Sequence, residues 1–326
     1  MNMPRPITQS KFEKVWDGVC LFSLIGIWPR FIEPRLLGLS KCAVAIPSLP
    51  KELIGFKILQ FSDLHWHSQF SPLLLTKLTR KINEQKPDLI VFTGDFLCRS
   101  HLEQPELLLH FLQNLQAKVD CFAIMGNHDY NKYVTVKANG DYGIEENLAA
   151  RPINKGFKRL FNFVPLTKHV SKATQNIGLH NDLVDLLHKT PFKLLDNKTI
   201  TIPIKGTYLN ICGLGEYMAG QCLPKKAFEN YKTQYPGLIL SHNPDSIKIL
   251  QHYPGNLILC GHTHGGQVNL PWLWRRLVRI ENENYKRGLK KLAPAKWAYI
   301  NRGIAGMLKF RWCARPEITL ITLQNE

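Results

Sequence analysis

The decapeptide 257–266, LILCGHTHGG, constrains the fold of this chain more than any other stretch. A short apolar run that stops at glycine is typical of a buried strand with an abrupt end. Side chains two residues apart point to the same side of an extended segment, so His262 and His264 present both imidazoles together. Imidazole binds zinc, iron and manganese, and the flanking glycines leave room for a close approach. The stretch therefore predicts a strand that delivers two metal ligands.

Other apolar runs in the chain also end in residues that bind metals. The potential ligands that follow these runs are Asp63 and His65, then Asp95, then Asn127 with His128 and Asp129, and then His242. Helical patterns at 71–86 and 105–116 separate the first three runs. Strands that alternate with helices predict a sheet with crossover helices, in which functional groups lie at the carboxyl ends of the strands. We therefore expect an α/β fold with a metal site at that edge.

Length and composition fit one α/β domain with insertions. The chain has 326 residues, of which 44% are hydrophobic, and this excludes global disorder. The formal net charge of +17 predicts an anionic partner such as a nucleic acid, an acidic membrane surface or a phosphorylated substrate. The eight cysteines form no CxxC pair, and we interpret them as reduced residues of a cytosolic protein.

The amino-terminal arm, residues 1–35, is apolar and basic. Its apolar run 18–28 is shorter than the ~20 residues that span a bilayer. No small-residue cleavage site follows the run, which argues against a secretory signal. Two interpretations are equally open. The arm is either a helix packed on the body of the protein, or an anchor in the membrane interface with Trp28 and Phe31 among the headgroups.

Two insertions interrupt the alternation of strands and helices within residues 36–326, which we expect to form a single domain. The first, at about 131–180, mixes basic and aromatic residues and contains no acidic residue between Glu146 and Asp182. The second, at about 270–298, is basic and carries tryptophans. Such runs are most often solvated basic faces, but a long insertion after a ligand-bearing loop can also form a cap over the substrate. A cap of this composition suits a substrate with phosphates and an apolar part.

The ordered motifs resemble those of the calcineurin-like metallophosphoesterases. The matching elements are D-x-H at 63–65, G-D at 94–95, G-N-H-D at 126–129, His242 and G-H-x-H at 261–264. The resemblance implies a sandwich of two mixed β-sheets flanked by helices (αββα), with the first insertion as a basic, aromatic cap. It also implies two divalent metal ions, with Mn²⁺ preferred and Fe or Zn²⁺ as alternatives. One ion would take Asp63, His65, Asp95 and His264, and the other would take Asp95, Asn127, His242 and His262, with Asp95 bridging.

Catalytic roles are expected for His128 and Asp129. The His128 imidazole can protonate the leaving oxygen or stabilise the charged transition state. Asp129, its neighbour in the chain, is expected to orient that imidazole. A purely structural role for His128 is the alternative.

Further elements resemble a membrane-associated bacterial branch of the family. These are N-R-G at 301–303, R-P-E-I at 315–318 and E-P-R at 33–35. The arm and the insertions are most similar to enzymes that cleave the pyrophosphate of UDP-2,3-diacylglucosamine in lipid A biosynthesis. This resemblance implies hydrolysis to UMP and 2,3-diacylglucosamine 1-phosphate by a cytoplasmic protein, peripheral on the inner face of the cytoplasmic membrane. The candidate substrate contacts are Arg99, Arg151, Lys155, Phe157, Phe161, Phe163, Arg275, Arg302, Arg311 and Arg315.

Two other functions stay open. A phosphodiesterase or phosphatase of the same branch, acting on another phospholipid or a nucleotide, would use the same metal ligands. A basic nucleic-acid-binding protein would account for the charge, but the sequence has no RNA-binding motif and no recognition-helix pattern. We therefore expect an amphipathic phosphorylated lipid as substrate and an anionic membrane surface as partner. We expect no nucleic acid and no obligate protein partner.

Overall fold

Two six-stranded mixed sheets and a two-stranded hairpin organise the chain. The structure is a computed structural model, and it describes residues 11–68, 70–146, 164–271, 273–306 and 310–326. Its strands are β1 Gly38–Ile46, β2 Lys57–Phe61, β3 Leu89–Thr93, β4 Asp120–Ile124, β5 Val134–Val136, β6 Tyr142–Ile144, β7 Phe192–Leu194, β8 Lys198–Ile204, β9 Thr207–Gly213, β10 Gly237–Leu240, β11 Leu257–Cys260, β12 Gly288–Ala293, β13 Lys296–Ile300 and β14 Glu317–Asn325.

The order of strands places the ligand-bearing ones side by side. The first sheet has the order β1-β14-β2-β3-β4-β7, and its strands β2, β3, β4 and β7 are parallel. The second sheet has the order β12-β13-β11-β10-β9-β8, with β9, β10, β11 and β13 parallel. In the register of the first sheet, Phe61 at the end of β2 pairs with Phe92 near the end of β3. Neighbouring parallel strands therefore end at the same level.

Helices cover the outer faces of the sheets. The α-helices are α1 Lys11–Phe22, α2 Pro72–Asn83, α3 Pro105–Gln113, α4 Lys172–Gln175, α5 Asn181–Leu187, α6 Pro224–Ala227, α7 Ile247–Leu250 and α8 Leu273–Leu277. A π-helical segment spans Ser23–Ile32, and 3₁₀ turns span Glu33–Arg35, Lys51–Leu53, Pro244–Ser246, His264–Gly266 and Glu283–Tyr285. Helix α2 begins at a proline, whose fixed φ suits the first helical position.

The core has three layers because alternate residues of a strand point to opposite faces of its sheet. Ile58 of β2 and Leu240 of β10 belong to the layer between the two sheets. Leu59, next to Ile58, faces the layer under α2, α3 and α5. Ile247 of α7 packs on the outer face of the second sheet. The predicted αββα sandwich of two mixed sheets is therefore confirmed.

The last residues of the arm pack against residues 313–314, and its earlier residues expose apolar side chains. The buried Glu33 carboxylate accepts hydrogen bonds from the N–H groups of Cys313 and Ala314. By contrast, Phe22 is 68% exposed and Leu21 is 58% exposed. Among the described residues, no helix is both long and apolar enough to cross a membrane. The proposed boundary at residue 35 and the limits of the two insertions stay predictions.

Candidate metal centre

The loops after five parallel strands meet at one edge of the sandwich. In the first sheet, β2 leads to Asp63, β3 leads to Asp95 and β4 leads to Asn127. In the second sheet, β10 leads to His242 and β11 leads to His262. The sheets pack face to face through the central layer, so their carboxyl ends converge. The predicted ligands, separated by up to about 200 residues in the chain, are therefore neighbours in space.

Asp63, His65, His264 and Asp95 form a first candidate metal position. The Oδ1 atom of Asp63 lies 3.7 Å from Nε2 of His264 and 4.0 Å from Nε2 of His65. The two Nε2 atoms are 3.2 Å apart. Oδ2 of Asp95 lies 3.5 Å from Nε2 of His65. A divalent ion about 2.1 Å from each ligand separates its ligands by roughly 3.0–3.5 Å, so these four side chains can hold one ion with small adjustments.

Asp95, Asn127, His242 and His262 form a second candidate position. Oδ2 of Asp95 lies 3.2 Å from Nε2 of His242. Nδ1 of His262 lies 3.3 Å from that same Nε2 and 3.1 Å from Oδ1 of Asn127. Oδ2 of Asp95 thus belongs to both sets, which suits a carboxylate that bridges two ions. The grouping is the one that the family resemblance implies.

Burial keeps most of the imidazoles in the neutral form that binds metals. It lowers the pKa of His65 to about 4 and the pKa of His262 to about 3. Burial also lowers the pKa of His242, but the Asp95 carboxylate outweighs it and holds this pKa well above the usual value. Burial raises the pKa of the Asp63 carboxyl to about 6. Buried carboxylates beside neutral nitrogen donors form a donor set that suits divalent cations.

Unusual backbone conformations are concentrated at these ligands. The φ angle is positive at Asp63 (52°), His65 (44°), Asp95 (64°), His262 (71°) and His264 (49°). Residues other than glycine seldom adopt positive φ, and each instance costs on the order of 1–3 kcal/mol. The surrounding sandwich must therefore hold these loops in place.

Two glycines allow the loops to approach one another. A Cβ atom on Gly261 would overlap the hydroxyl of Ser62, and one on Gly126 would overlap the carboxylate of Asp95. Any side chain at either position would push two ligand-bearing loops apart. The close approach predicted for the glycines of the 257–266 stretch is present at Gly261, and Gly126 shows a second one.

The Asp129 carboxylate organises the loops, and the role expected for it in orienting the His128 imidazole stays a prediction. The two oxygens of its buried carboxylate accept hydrogen bonds from four backbone N–H groups. The donors are Asp95 (2.8 Å), Phe96 (3.1 Å), Leu97 (2.8 Å) and Gly126 (2.9 Å). Burial raises the pKa of Asp129 to about 7, although these donors lower it. The carboxylate therefore ties the loop after β3 to the loop after β4.

The His128 imidazole is held by main chain and by a neighbouring ring. Its Nδ1 accepts a hydrogen bond of 2.9 Å from the N–H of Arg99, and its ring lies 4.2 Å from that of Tyr133. Burial lowers the pKa of His128 well below the usual value. A neutral imidazole that accepts at Nδ1 carries its proton at Nε2, and Nε2 lies 3.9 Å from Oδ2 of Asp95. His128 thus presents a donor N–H beside the two metal positions.

Arg311, predicted to contact substrate, is almost fully buried. Its guanidinium donates hydrogen bonds to the carbonyls of Arg302 and Ala314, at 2.8 and 2.9 Å. Its Nη2 also lies 3.5 Å from Nδ1 of His264. Because its donors bind main-chain carbonyls, Arg311 holds the loop that lies behind His264.

Four other arginines predicted to contact substrate lie near carboxylates, main-chain carbonyls or the His128 ring. Arg302 pairs with Glu317 at 2.6 Å, and Arg275 pairs with Glu283 at 2.5 Å. The Nε of Arg315 donates to a main-chain carbonyl at 3.3 Å, and Arg99 lies beside His128. All of these contacts stay predictions. Five more lie outside the described residues: Arg151, Lys155, Phe157, Phe161 and Phe163.

A cleft of about 90 Å³ opens at the metal positions, and its lining includes two residues with polar groups that were not among the predicted site residues and that matter for the chemistry. These are Tyr133, which packs on His128, and Arg279, which lines both this cleft and an adjoining cavity of about 480 Å³. Tyr133 follows the G-N-H-D motif by four residues, a spacing that could have indicated it. Arg279 stands in a basic run with Arg275 and Arg276, and nothing in the sequence sets it apart.

The family model described as calcineurin-like phosphoesterase matches residues 56–266. The chain is 39% identical over 307 residues to the UDP-2,3-diacylglucosamine pyrophosphatase LpxG of Chlamydia trachomatis, an alignment that covers 91% of this chain and 92% of that protein. It is 38% identical to the protein of the same name from Chlamydia muridarum, again over 91% of this chain and 92% of the other. It is also 29% identical to the phosphodiesterase YaeI of Escherichia coli over 82% of each chain.

Proposed function

Because this chain belongs to the calcineurin-like phosphoesterase family, and is thus a hydrolase of phosphate ester or pyrophosphate bonds, we propose that its substrate is UDP-2,3-diacylglucosamine. Water cleaves one P–O bond of the pyrophosphate, and the products are UMP and 2,3-diacylglucosamine 1-phosphate, in lipid A biosynthesis. The observation that carries the substrate is the similarity to the two chlamydial pyrophosphatases, which spans nine-tenths of each chain.

Two divalent ions would be held by the two sets of ligands described above, with Asp95 common to both. When bound, such a pair activates a water molecule for in-line attack and neutralises charge on the phosphoryl group. Mn²⁺ is the ion we propose, with Fe or Zn²⁺ as alternatives, because the ligands are carboxylate, imidazole and one amide oxygen.

The chain's own residues supply orientation and stabilisation of charge. Nε2–H of the neutral His128 imidazole donates a hydrogen bond to the oxygen that leaves the attacked phosphorus and stabilises the negative charge there, since its Nδ1 already accepts from the Arg99 N–H. Tyr133 keeps the imidazole in this orientation through ring contact. Arg279, at the side of the cleft, places a cation beside the other phosphate of the substrate.

The arm supports a location at a membrane surface, which we propose to be the cytoplasmic face. Apolar side chains on successive turns of the arm are exposed, among them Phe22, Ile25 and Phe31. Exposed apolar side chains of this size next to basic residues are typical of helices that lie in the headgroup region of anionic membranes.

The main alternative is a phosphodiesterase that acts on another phospholipid or on a nucleotide. The similarity to the E. coli phosphodiesterase favours it, because that protein matches most of the same chain. Both functions use the same metal ligands, so only the choice of substrate separates them.

Product analysis tests the proposal. Purified, Mn²⁺-loaded protein is incubated with UDP-2,3-diacylglucosamine, with UDP-glucose and with phosphatidylglycerol, and the products are identified by mass spectrometry. We expect UMP and 2,3-diacylglucosamine 1-phosphate in equal amounts, at a rate at least a hundredfold above that with either comparison substrate. Turnover of phosphatidylglycerol without turnover of the sugar nucleotide would favour the alternative.

A further inference from the structure

A groove of about 490 Å³ runs between the arm and the start of α2. Phe31 and Pro34 line it from the arm, and Phe70 and Leu74 line it from the other side. The loop 304–306 completes the lining. Most of these side chains are apolar, so the groove suits a hydrocarbon chain.

One part of the groove lies next to the first metal position. Arg311 and Gly306 both line the groove. Nη2 of Arg311 is 3.5 Å from Nδ1 of His264, and a Cβ on Gly306 would lie 3.4 Å from the same nitrogen. The groove therefore borders His264 on the side of Nδ1, whereas Nε2 of the same ring faces the first metal position.

Another part of the groove is continuous with the exposed apolar face of the arm. Phe31, which lines the groove, is 53% exposed, and Leu73 on the opposite side is 76% exposed. Trp28, one turn before Phe31, is 38% exposed. Large apolar side chains on both sides of a groove mark a surface for an apolar ligand or a membrane.

Basic side chains accompany this apolar lining. Arg35 and Lys77 both line the groove, one on each side. The groove therefore combines apolar contact with positive charge, which is the chemistry of an amphipathic lipid that carries phosphate.

We propose that this groove binds an acyl chain of the phosphorylated lipid substrate while the phosphates reach the metal centre. The substrate then enters from the side of the arm, and its other end extends towards the cavity lined by Arg279. The identity of the lipid rests on the proposed function, but the location of the acyl chain does not. Described residues alone form the proposed contact, and the predicted cap residues Phe157, Phe161 and Phe163 lie outside them.

Binding of a non-hydrolysable probe tests the groove directly. Dodecylphosphonate and methylphosphonate share a head group and have no ester bond to cleave, so the ratio of their Kd values reports the contribution of the chain. The full-length, metal-loaded protein is titrated by calorimetry below the critical micelle concentration. Each buried methylene strengthens binding roughly fourfold, and we expect the wild type to bind dodecylphosphonate at least a hundredfold more tightly.

Two variants change the groove without touching the core. Leu73→Asp places a charge in it, and Ser71→Trp fills it at an exposed position whose side chain caps no helix. We expect each to reduce the Kd ratio at least tenfold. Leu107→Asp on α3 replaces a leucine that is 45% exposed outside the groove, and it is expected to leave the ratio unchanged. The proposal is overturned if both groove variants keep the wild-type ratio of the two phosphonate Kd values.

Activity measurements separate this inference from the proposed function. The ratio of kcat/KM for UDP-2,3-diacylglucosamine to that for bis(4-nitrophenyl) phosphate is expected to fall at least tenfold in both groove variants. If the wild type cleaves the small diester but not the sugar nucleotide, the proposed function is wrong, and the phosphonate ratios still decide whether the groove binds a chain. If the wild type cleaves both and the variants keep its ratio, the groove is wrong and the function stands.

Discussion

The metal centre and the amino-terminal arm are neighbours that are built in opposite ways. Asp63 and Asp95 are at most 1% exposed, and hydrogen bonds fix the loops that carry them. In the arm, Val15 and Phe22 are 66% and 68% exposed. The metal centre thus has its partners within the chain, whereas the described residues leave the apolar face of the arm uncovered. The sandwich positions the metal ligands, and the proposed groove opens onto the exposed apolar face of the arm.

Glu33 connects the two regions. Its carboxylate accepts from the N–H groups of Cys313 and Ala314, and the N–H of Arg311 donates to the carbonyl of Pro29. Arg311 in turn lies beside His264. The last turn of the arm is therefore part of the support of the metal centre, and only the residues before it are free to serve as an anchor.

The largest effect is expected at the shared ligand. Asp95→Asn removes the negative charge that serves both metal positions, so we expect kcat to fall by about a thousandfold or more. Metal content, measured by mass spectrometry, should fall below two ions per chain. Circular dichroism should show an intact fold.

Asp185→Asn, on the exposed side of α5, is the matched control and should retain wild-type turnover. Near-normal hydrolysis by the Asp95 variant, or less than one metal ion in the active wild type, would contradict a centre with two ions.

The arm offers the next largest effect. Removal of residues 2–27 keeps Pro29 and Glu33 in place, and we expect binding to phosphatidylglycerol vesicles to weaken at least tenfold. Hydrolysis of bis(4-nitrophenyl) phosphate should stay within about twofold of the wild type, because the metal ligands and their supports remain. A longer deletion, to Arg30, would remove the Pro29 carbonyl that holds Arg311.

A substituted pair tests the same idea without a change of length. Phe22→Ser with Ile25→Ser removes two exposed apolar side chains of the arm, and Ile54→Ser with Leu223→Ser removes two elsewhere. Vesicle sedimentation should respond to the first pair only. If the two double variants bind vesicles equally well, membrane attachment is assigned to the basic insertions.

The effect expected at Asp129 is on stability more than on turnover. Asp129→Asn weakens the acceptor of four backbone N–H groups, so we expect the free energy of unfolding to fall by about 2–4 kcal/mol. Urea titration at a fixed Mn²⁺ concentration measures it. His128→Gln should lose turnover with a smaller loss of stability. If Asp129→Asn instead loses turnover with little loss of stability, the catalytic role expected for Asp129 is supported.

Local patterns predicted the sheets and the ligands, but they could not predict how the loops contact one another. Each ligand follows its own apolar run, so short stretches of sequence were enough to indicate the site. The role of Asp129 depends on N–H groups more than 30 residues away, and the position of Arg311 beside His264 spans 47 residues. The groove likewise joins the arm to the loop 304–306. These features arise only when separate elements pack.

The smallest effect is expected at a buried lysine that lies outside both the metal centre and the arm. It concerns the pH dependence of the free energy of unfolding. Lys296 at the start of β13 is 7% exposed, and it donates to the carbonyl of Tyr253. Burial lowers its pKa from 10.5 to about 8. The folded protein therefore loses this proton at a lower pH than the unfolded chain does. The cost of the buried charge is fully present below pH 8 and declines as the pH rises through the folded pKa.

Relative to Lys296→Met, the wild type should thus gain about 1 kcal/mol of unfolding free energy between pH 8 and pH 9. Urea titrations at the two pH values measure this difference, because changes at the metal centre are common to both proteins and cancel. A constant difference between the two proteins would mean that Lys296 reaches solvent and keeps an ordinary pKa.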